Sequence, residues 1–406
     1  MDVATQVEYL QTLAEPIAEY SQSKQNKAAI NRWRDVNGLR KPDRAPVWCR
    51  PVGAWKELLP EDTLRCSDPY SRSIEKYLRM LLVKIDIGDD TPIPSFYPVQ
   101  AVLQVEPVTI YGVNIQHTNP DEDDGAWVYD PPIQTIEDLN QLKIPHYSFD
   151  KAETQRQMEQ VYERLGDMLP PKQICQPPLH TILCSPAAEM IGLTPLMMHM
   201  MNQPELVHQL MGYLRDAVLS SLDQIESMGI LTPNNEEPMT CSDPIGEPNP
   251  DGTIGLHNLW NMTNSQEFDQ VSPAMWERFL LDYQRPILGR FGLTAYGCCE
   301  NLTHKIDGVL SIPNLRIFVC SAWTNLENVI DRVEDRYVIM WRQKASDVVF
   351  PENNSKIKQD LFDGASKLSQ SHYQIVLREL QTLAGHPNRL HVWTQAAIEA
   401  AWKYNG

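Results

Sequence analysis

LTAYGCCENLTHKIDGVLSIPNLRIFVC (residues 293–320) reads as strand, helical segment, strand. Its two outer runs, LTAYGC (293–298) and LRIFVC (315–320), are short, apolar and rich in β-branched and aromatic residues. Six further runs have the same character: APVWCR (45–50), LLVKIDI (81–87), HTILCS (180–185), MGILTP (228–233), RYVIMW (336–341) and YQIVLR (373–378). Amphipathic stretches such as Pro204–Ser227, Pro273–Phe291, Thr324–Val333 and Asn354–Ser369 lie between them. Strand runs alternating with helical patterns predict an α/β fold with a parallel sheet, and eight runs are the number that closes a (β/α)8 TIM barrel.

The organisation expected is an N-terminal helical extension over 1–40, on the outside of the main body, and a barrel domain over 41–406. In the extension Val7, Leu10, Leu13 and Ile17 recur at helical spacing. A β-rich insertion (92–132) follows the second run, and a long loop (236–262) rich in Pro, Gly, Asn and acids follows the fourth. Both are expected at the carboxyl ends of barrel strands, where such enzymes build their sites. For the loop, a solvated surface segment and a lid or pocket wall are both open.

The net charge of -18, from 53 acidic against 35 basic residues, argues against nucleic acid or an anionic membrane as the main partner. No run reaches the roughly eighteen apolar residues of a membrane-spanning helix, and the N-terminus has no basic region followed by an apolar core. The eight cysteines (49, 66, 175, 184, 241, 298, 299 and 320) are scattered, several inside strand-like runs. They read as reduced, buried thiols of a cytoplasmic protein.

In the opening segment Thr294, Tyr296 and Cys298 share one strand face and Ala295 and Gly297 the other. If the larger set points inward, Tyr296 and Cys298 reach the barrel mouth together. Cys299 and Glu300 then begin the loop and His304 follows one short turn later. Thiols, carboxylate and imidazole are groups that bind a soft divalent metal or move protons; buried packing is the alternative for each cysteine. Cys320, at the equivalent end of the next run, is a second candidate ligand, followed by Trp323. Trp341, and then Arg378 and Glu379, end the last two runs, where they could line a pocket. Glu267 lies in a polar loop from which a carboxylate could reach the site. Arg50, at the first strand end, is placed to grip a substrate carboxylate. Asp89 and Asp90, around the end of the second run, could act as acid, base or ammonium partner, with helix capping as the alternative. There is no phosphate-binding glycine loop, dinucleotide fingerprint or nucleophile elbow.

PVWCRPVGAWKELLPE (46–61) and DIGDDTPIP (86–94) resemble the arginine and aspartate motifs of the uroporphyrinogen decarboxylase superfamily. Arg50 matches the first arginine of that motif, Gly53 its glycine, and Asp89 or Asp90 the aspartate. Ala54 stands where the decarboxylases carry a second arginine. TAYGCCEN (294–301) is similar to the zinc-binding strand end of the cobalamin-dependent methyltransferases in the same superfamily, with Tyr296 in the histidine position, Cys298 in the cysteine position and Cys320 as the later cysteine. HNLWNMTNSQEFDQVSPAMWERFLLDYQRPILGRFGLTAYGCCENL (257–302) resembles the uroporphyrinogen-decarboxylase-like branch, some of whose members act in corrinoid-linked demethylation. The likeness runs from about residue 40 onward.

This resemblance implies a methyltransferase moving a methyl group from a small methylated substrate, methoxy-aromatic or methylamine-like, to a corrinoid protein. Zinc would be held by Cys298, Cys299, Cys320 or His304, and cobalamin carried by the partner. Glu300, Glu267, Asp89 or Asp90 would supply acid–base chemistry, and Arg50, Tyr296, Trp323 and Trp341 the substrate pocket. The alternative is a metal-free carboxy-lyase in which Arg50 holds the substrate carboxylate; a third is a ligand-binding barrel without chemistry. A homodimer is compatible with all three.

Overall fold

The computed structural model describes residues 2–118, 128–176, 181–351 and 354–404. Six parallel strands form one sheet in the order β1 (Val47–Cys49), β12 (His372–Leu377), β11 (Val338–Gln343), β10 (Leu315–Cys320), β9 (Leu293–Tyr296) and β8 (Trp260–Thr263). The sheet curls into half a barrel. Its strands are apolar with little alternation because both faces are covered, as parallel sheets require. Trp48, Trp260, Ala295, Ile317, Val319, Val338, Met340 and Val376 cluster on the concave face. Tyr296, Phe318, Cys320, Ile339, Trp341 and Ile375 face the other way, into the core shared with the helices. The longer helices are α1 (Val3–Ser21), α2 (Lys24–Asn37), α3 (Pro69–Ile87), α4 (Lys151–Leu165), α5 (Pro204–Ser227), α6 (Ser355–Leu368) and α7 (Arg389–Lys403).

Strand pairing does not close the barrel. β2 (Tyr97–Gln100) and β7 (Pro171–Ile174) pair in parallel with each other but not with the six-stranded sheet. Non-strand segments bridge the two seams. Beside β1, Asp90 N–H donates to Val47 O at 2.8 Å. Beside β8, the Asn234 side chain accepts from Trp260 N at 2.8 Å and donates to Trp260 O at 2.9 Å. A further antiparallel pair, β3 (Leu103–Glu106) with β6 (His146–Phe149), stands apart, as does β4 (Gln116–Thr118) with β5 (Val128–Asp130). Residues 119–127 of the expected insertion lie outside the described residues.

Five of the eight expected strand runs are strands of the sheet, and three are not. LLVKIDI is the last two turns of α3, which Asp68 caps from the front and Gly88, in the left-handed conformation at φ 74°, ends. Ile74, Leu78 and Ile87 are buried on that helix; the apolar run reads as a strand only when cut from this longer period. Of HTILCS, His180 is outside the described residues and Cys184 opens the short helix Cys184–Ile191. MGILTP begins as the turn that ends α5, with Gly229 at φ 65°, and continues outside any strand, where the Thr232 N–H bonds Cys175 O at 2.9 Å. The sixth strand of the sheet, β8, lies at the end of what reads as the long loop.

Two segments fill the concave side. α2 is not an outer element: Trp33 and Val36 belong to the concave-face cluster. Only α1 has the expected position, sharing a separate core with α3 and α4. Of the two roles open for the long loop, residues 236–242 take that of a pocket wall: Glu237 and Pro238 line a recess with Arg50, and Met239 and Cys241 continue inward to α2. The Asn37 amide donates to Met239 O at 2.9 Å and Cys241 O at 2.7 Å, and Gln374 of β12 donates to Met239 O at 2.9 Å.

Candidate active site at the carboxyl rim

β9 ends at Tyr296, and Gly297 turns the chain at φ 118°. A Cβ at Gly297 would stand 2.9 Å from Val319 Cβ, so no other residue brings the next one this close to β10. Cys298 and Cys299 follow. Their Sγ atoms are 3.6 Å apart, and Cys299 Sγ lies 3.6 Å from Glu379 Oε1, just beyond β12. These three residues form the cluster of potential metal donors found among the described residues. Glu379 itself is held at φ 63°, a conformation costly for a non-glycine residue and common at functional sites.

Arg342, buried at the end of β11, joins the group. Its Nη1 donates to Cys298 O at 2.9 Å and Glu379 Oε1 at 3.1 Å, and stands 3.7 Å from Cys298 Sγ. A hydrogen bond from Cys299, helped by the Arg342 guanidinium, lowers the Cys298 thiol to about 6 against the opposing effect of burial. The same bond leaves the proton on Cys299, whose thiol is pushed far up. At neutral pH the pair therefore carries one thiolate. Two more guanidiniums complete the rim. Arg50 continues β1, its N–H bonded to Leu377 O at 2.8 Å, and Arg378 continues β12. Burial, then Arg342 and Arg50, bring Arg378 down to about 10. Among the described residues neither Arg50 nor Arg378 forms an ion pair. Three arginines thus gather at the rim around the Cys298 thiolate and the Glu379 carboxylate, with Glu300 beneath Cys298 and Glu237 beside Arg50.

The expected site residues divide sharply. Cys298 and Cys299 are at the centre and Arg50 at the rim. Glu300 is close by but turned away: its buried carboxylate accepts from Ser265 N at 2.8 Å, Ser265 Oγ at 3.2 Å and Cys298 N at 2.8 Å. It fixes the thiol loop. Tyr296 is fully buried on the helix side, its hydroxyl donating to Gln284 at 2.9 Å and its ring against Trp276. The inward set on β9 is thus the smaller one, with Ala295, because the narrow concave side is already occupied by tryptophans. Cys320 and Trp341 likewise face the helices and are not brought to the cysteine pair. Trp341 lies under α6, where Gly364 leaves room for its ring. His304 is exposed in a different recess with Asp331 and Arg332. Trp323 is 58% exposed, stacked by Lys344. Glu267 accepts from Ser185 Oγ at 2.6 Å, and its other carboxylate oxygen is buried without a partner.

Asp89 and Asp90 are saturated. Asp90 accepts from both Arg44 guanidinium nitrogens at 2.6 and 2.9 Å, from Arg32 at 2.8 Å and from Val47 N at 2.8 Å. Asp89 accepts from Lys84, from Cys49 N at 2.8 Å and from Thr91 Oγ1 at 2.6 Å. Sequence reasoning misses Arg342 and Glu237. The signal for Arg342 is present, a lone cation at an inward position of an otherwise apolar strand. For Glu237 there is none, since only the inward course of 236–242 puts it beside Arg50.

No protein-family model matches the chain, and no curated protein matches its sequence. Among solved structures a methyltransferase from Methanosarcina mazei is similar in fold. The superposition has a TM-score of 0.52 and covers 93% of this chain and 99% of that one, at 11% identity. At that identity the likeness is one of fold, and it supports a barrel-like architecture over nearly the whole chain.

Proposed function

We propose that the protein is a methyltransferase that moves a methyl group from a small methylated substrate to a corrinoid carried by a partner protein, with zinc held by Cys298, Cys299 and Glu379. The observation that carries this reading is the thiolate, thiol and carboxylate cluster at the carboxyl rim of a barrel-like sheet. The fold likeness to a methyltransferase supports it. The donors fit the ion. Two sulfurs at about 2.3 Å from a tetrahedral zinc stand about 3.8 Å apart, close to the 3.6 Å between the two Sγ atoms. Charge closes as well, since two thiolates and a carboxylate balance a divalent ion plus Arg342. When bound, zinc supplies Lewis acidity toward the heteroatom that bears the methyl group. Arg342 favours the deprotonated thiol pair, Glu300 fixes the Cys298 backbone, and Arg378 draws anionic groups to the rim. A corrinoid partner would approach the same rim, where Trp323 is exposed.

The test is metal analysis of protein purified without added metal, joined to turnover. About one equivalent of zinc is expected, falling below about a tenth in the Cys298→Ser, Cys299→Ser variant with its melting curve retained. A native protein already below that level ends the zinc proposal. Methyl transfer is read from the absorption change of free cob(I)alamin, with methylamines and methoxy-arenes as donors; no change with any donor ends the transferase reading. One observation favours a second reading, metal-free decarboxylation: Arg50 and Arg378 lack acidic partners among the described residues. It predicts carbon dioxide release from a small carboxylate, abolished in Arg50→Ala.

A further inference from the structure

Beneath the rim, a recess of about 220 Å³ opens between the end of β1 and α3. Arg50 and Glu237 line it, together with Trp48, Trp55 and Tyr77. The recess also contains Lys84, but that ammonium is already bound to Asp89 and to Cys49 O. Arg50 and Glu237 are different. They make no ion pair with each other or with any other described residue. Each senses the other only at longer range: burial and then Glu236 raise the Glu237 carboxyl, and Arg50 opposes them. The Glu237 side chain is exposed to solvent at the mouth of the recess. A cation and an anion that do not pair with each other thus share one recess with three aromatic residues.

We propose that this recess binds a small zwitterion, its carboxylate on Arg50 and its methylated ammonium against Glu237 and the aromatic rings. A guanidinium takes a carboxylate in a two-pronged hydrogen bond. An ammonium gains from aromatic faces most clearly when it is quaternary, since alkyl groups replace the hydration it would otherwise lose. The volume is below the roughly 300–1,000 Å³ of sites for drug-sized ligands, which limits the occupant to amino-acid size. This inference goes beyond the zinc-assisted reading: a quaternary ammonium has no lone pair to offer zinc, so binding in this recess does not depend on the cysteine site.

The test uses the full chain and reads binding by calorimetry and by the fluorescence of Trp48 and Trp55. The probes are glycine betaine, 3,3-dimethylbutanoate (the same shape without the positive charge) and tetramethylammonium. Betaine is expected to bind at least about tenfold more tightly than 3,3-dimethylbutanoate. Glu237→Gln should bring betaine down to the level of the carbon analogue without altering the latter. Arg50→Met should weaken both carboxylates by about tenfold or more and leave tetramethylammonium unchanged, with Arg50→Lys intermediate. Melting curves check that each variant is folded. Equal binding of betaine and its carbon analogue, no binding of betaine, or a Glu237→Gln variant that keeps the preference would overturn the proposal. Betaine binding without methyl transfer from any donor would keep this site and lose the transferase reading. Transfer from a methoxy-arene without betaine binding would do the reverse.

Discussion

At Cys298 a thiol that titrates near 8.5 in a free chain is brought to about 6 by the proton of Cys299 and the charge of Arg342. In metal-free protein its alkylation by iodoacetamide should therefore rise through an inflection near pH 6, while Cys299 reacts slowly across the neutral range. Arg342→Met should move that inflection upward by about one unit or more. An inflection above 8 in the unaltered protein would remove the thiolate from the site. The sign of the linkage follows. A lowered thiol adds stability that is fully present above the unfolded value and is lost as pH falls through about 6. Asp90 shows the opposite kind of buried charge. Its carboxylate holds two guanidiniums and a backbone N–H with almost no solvent. Asp90→Ala should cost about 3–5 kcal/mol, because Arg44 would be left buried and unpaired. Urea unfolding measures this; a change below 1 kcal/mol would return Asp90 to the candidate acids.

Helix α6 passes over β11 so closely that a Cβ at Gly364 would stand 2.0 Å from Trp341 Cη2. Gly364→Ala should lower stability by about 1–3 kcal/mol through overpacking, and Trp341→Leu in the same chain should recover part of it. A neutral Gly364→Ala would mean that the ring is not fixed there. The same contact shows how far the strands were legible. The run RYVIMW marks β11 because fully buried parallel strands are written in unbroken apolar residues, but that same lack of alternation hides which side faces the concave core. Tyr296, Cys320 and Trp341, candidates from their places at strand ends, accordingly face the helices, each one residue from an inward neighbour. LLVKIDI misleads for another reason, since seven apolar-rich residues fit the end of a helix as well as a strand. The cysteine pair was legible because a strand end followed by a glycine turn delivers the next residues to the rim whichever face the strand presents. Glu379 was legible only as a position after a strand, because its closeness to Cys299 depends on the curl of the whole sheet.

The half-barrel assigns its two ends different work. At the carboxyl rim lie the thiols and arginines; from the other side α2, with Met239 and Cys241 packed on it, fills the concave face, a division common to barrel enzymes. Trp33 is fully buried there and its indole N–H donates to Asp90 O at 2.6 Å. Trp33→Ala should therefore cost about 3–5 kcal/mol, visible as an earlier urea midpoint. Asn37, which donates to Met239 O and Cys241 O and accepts from Gln374 at 2.8 Å, should behave alike, because Asn37→Leu strands Cys241 O and one amide N–H of Gln374, while Met239 O keeps its bond from Gln374. Neither change touches a residue of the rim, so the Cys298 inflection should stay near pH 6 in both variants under conditions where they remain folded. A Cys298 inflection that followed the loss of stability would show the plug and the rim to be one coupled unit, and the separation of support from chemistry would fail. Independence is expected, because β10, β11 and β12 lie between the two ends and their paired backbones hold the rim in place without help from the plug.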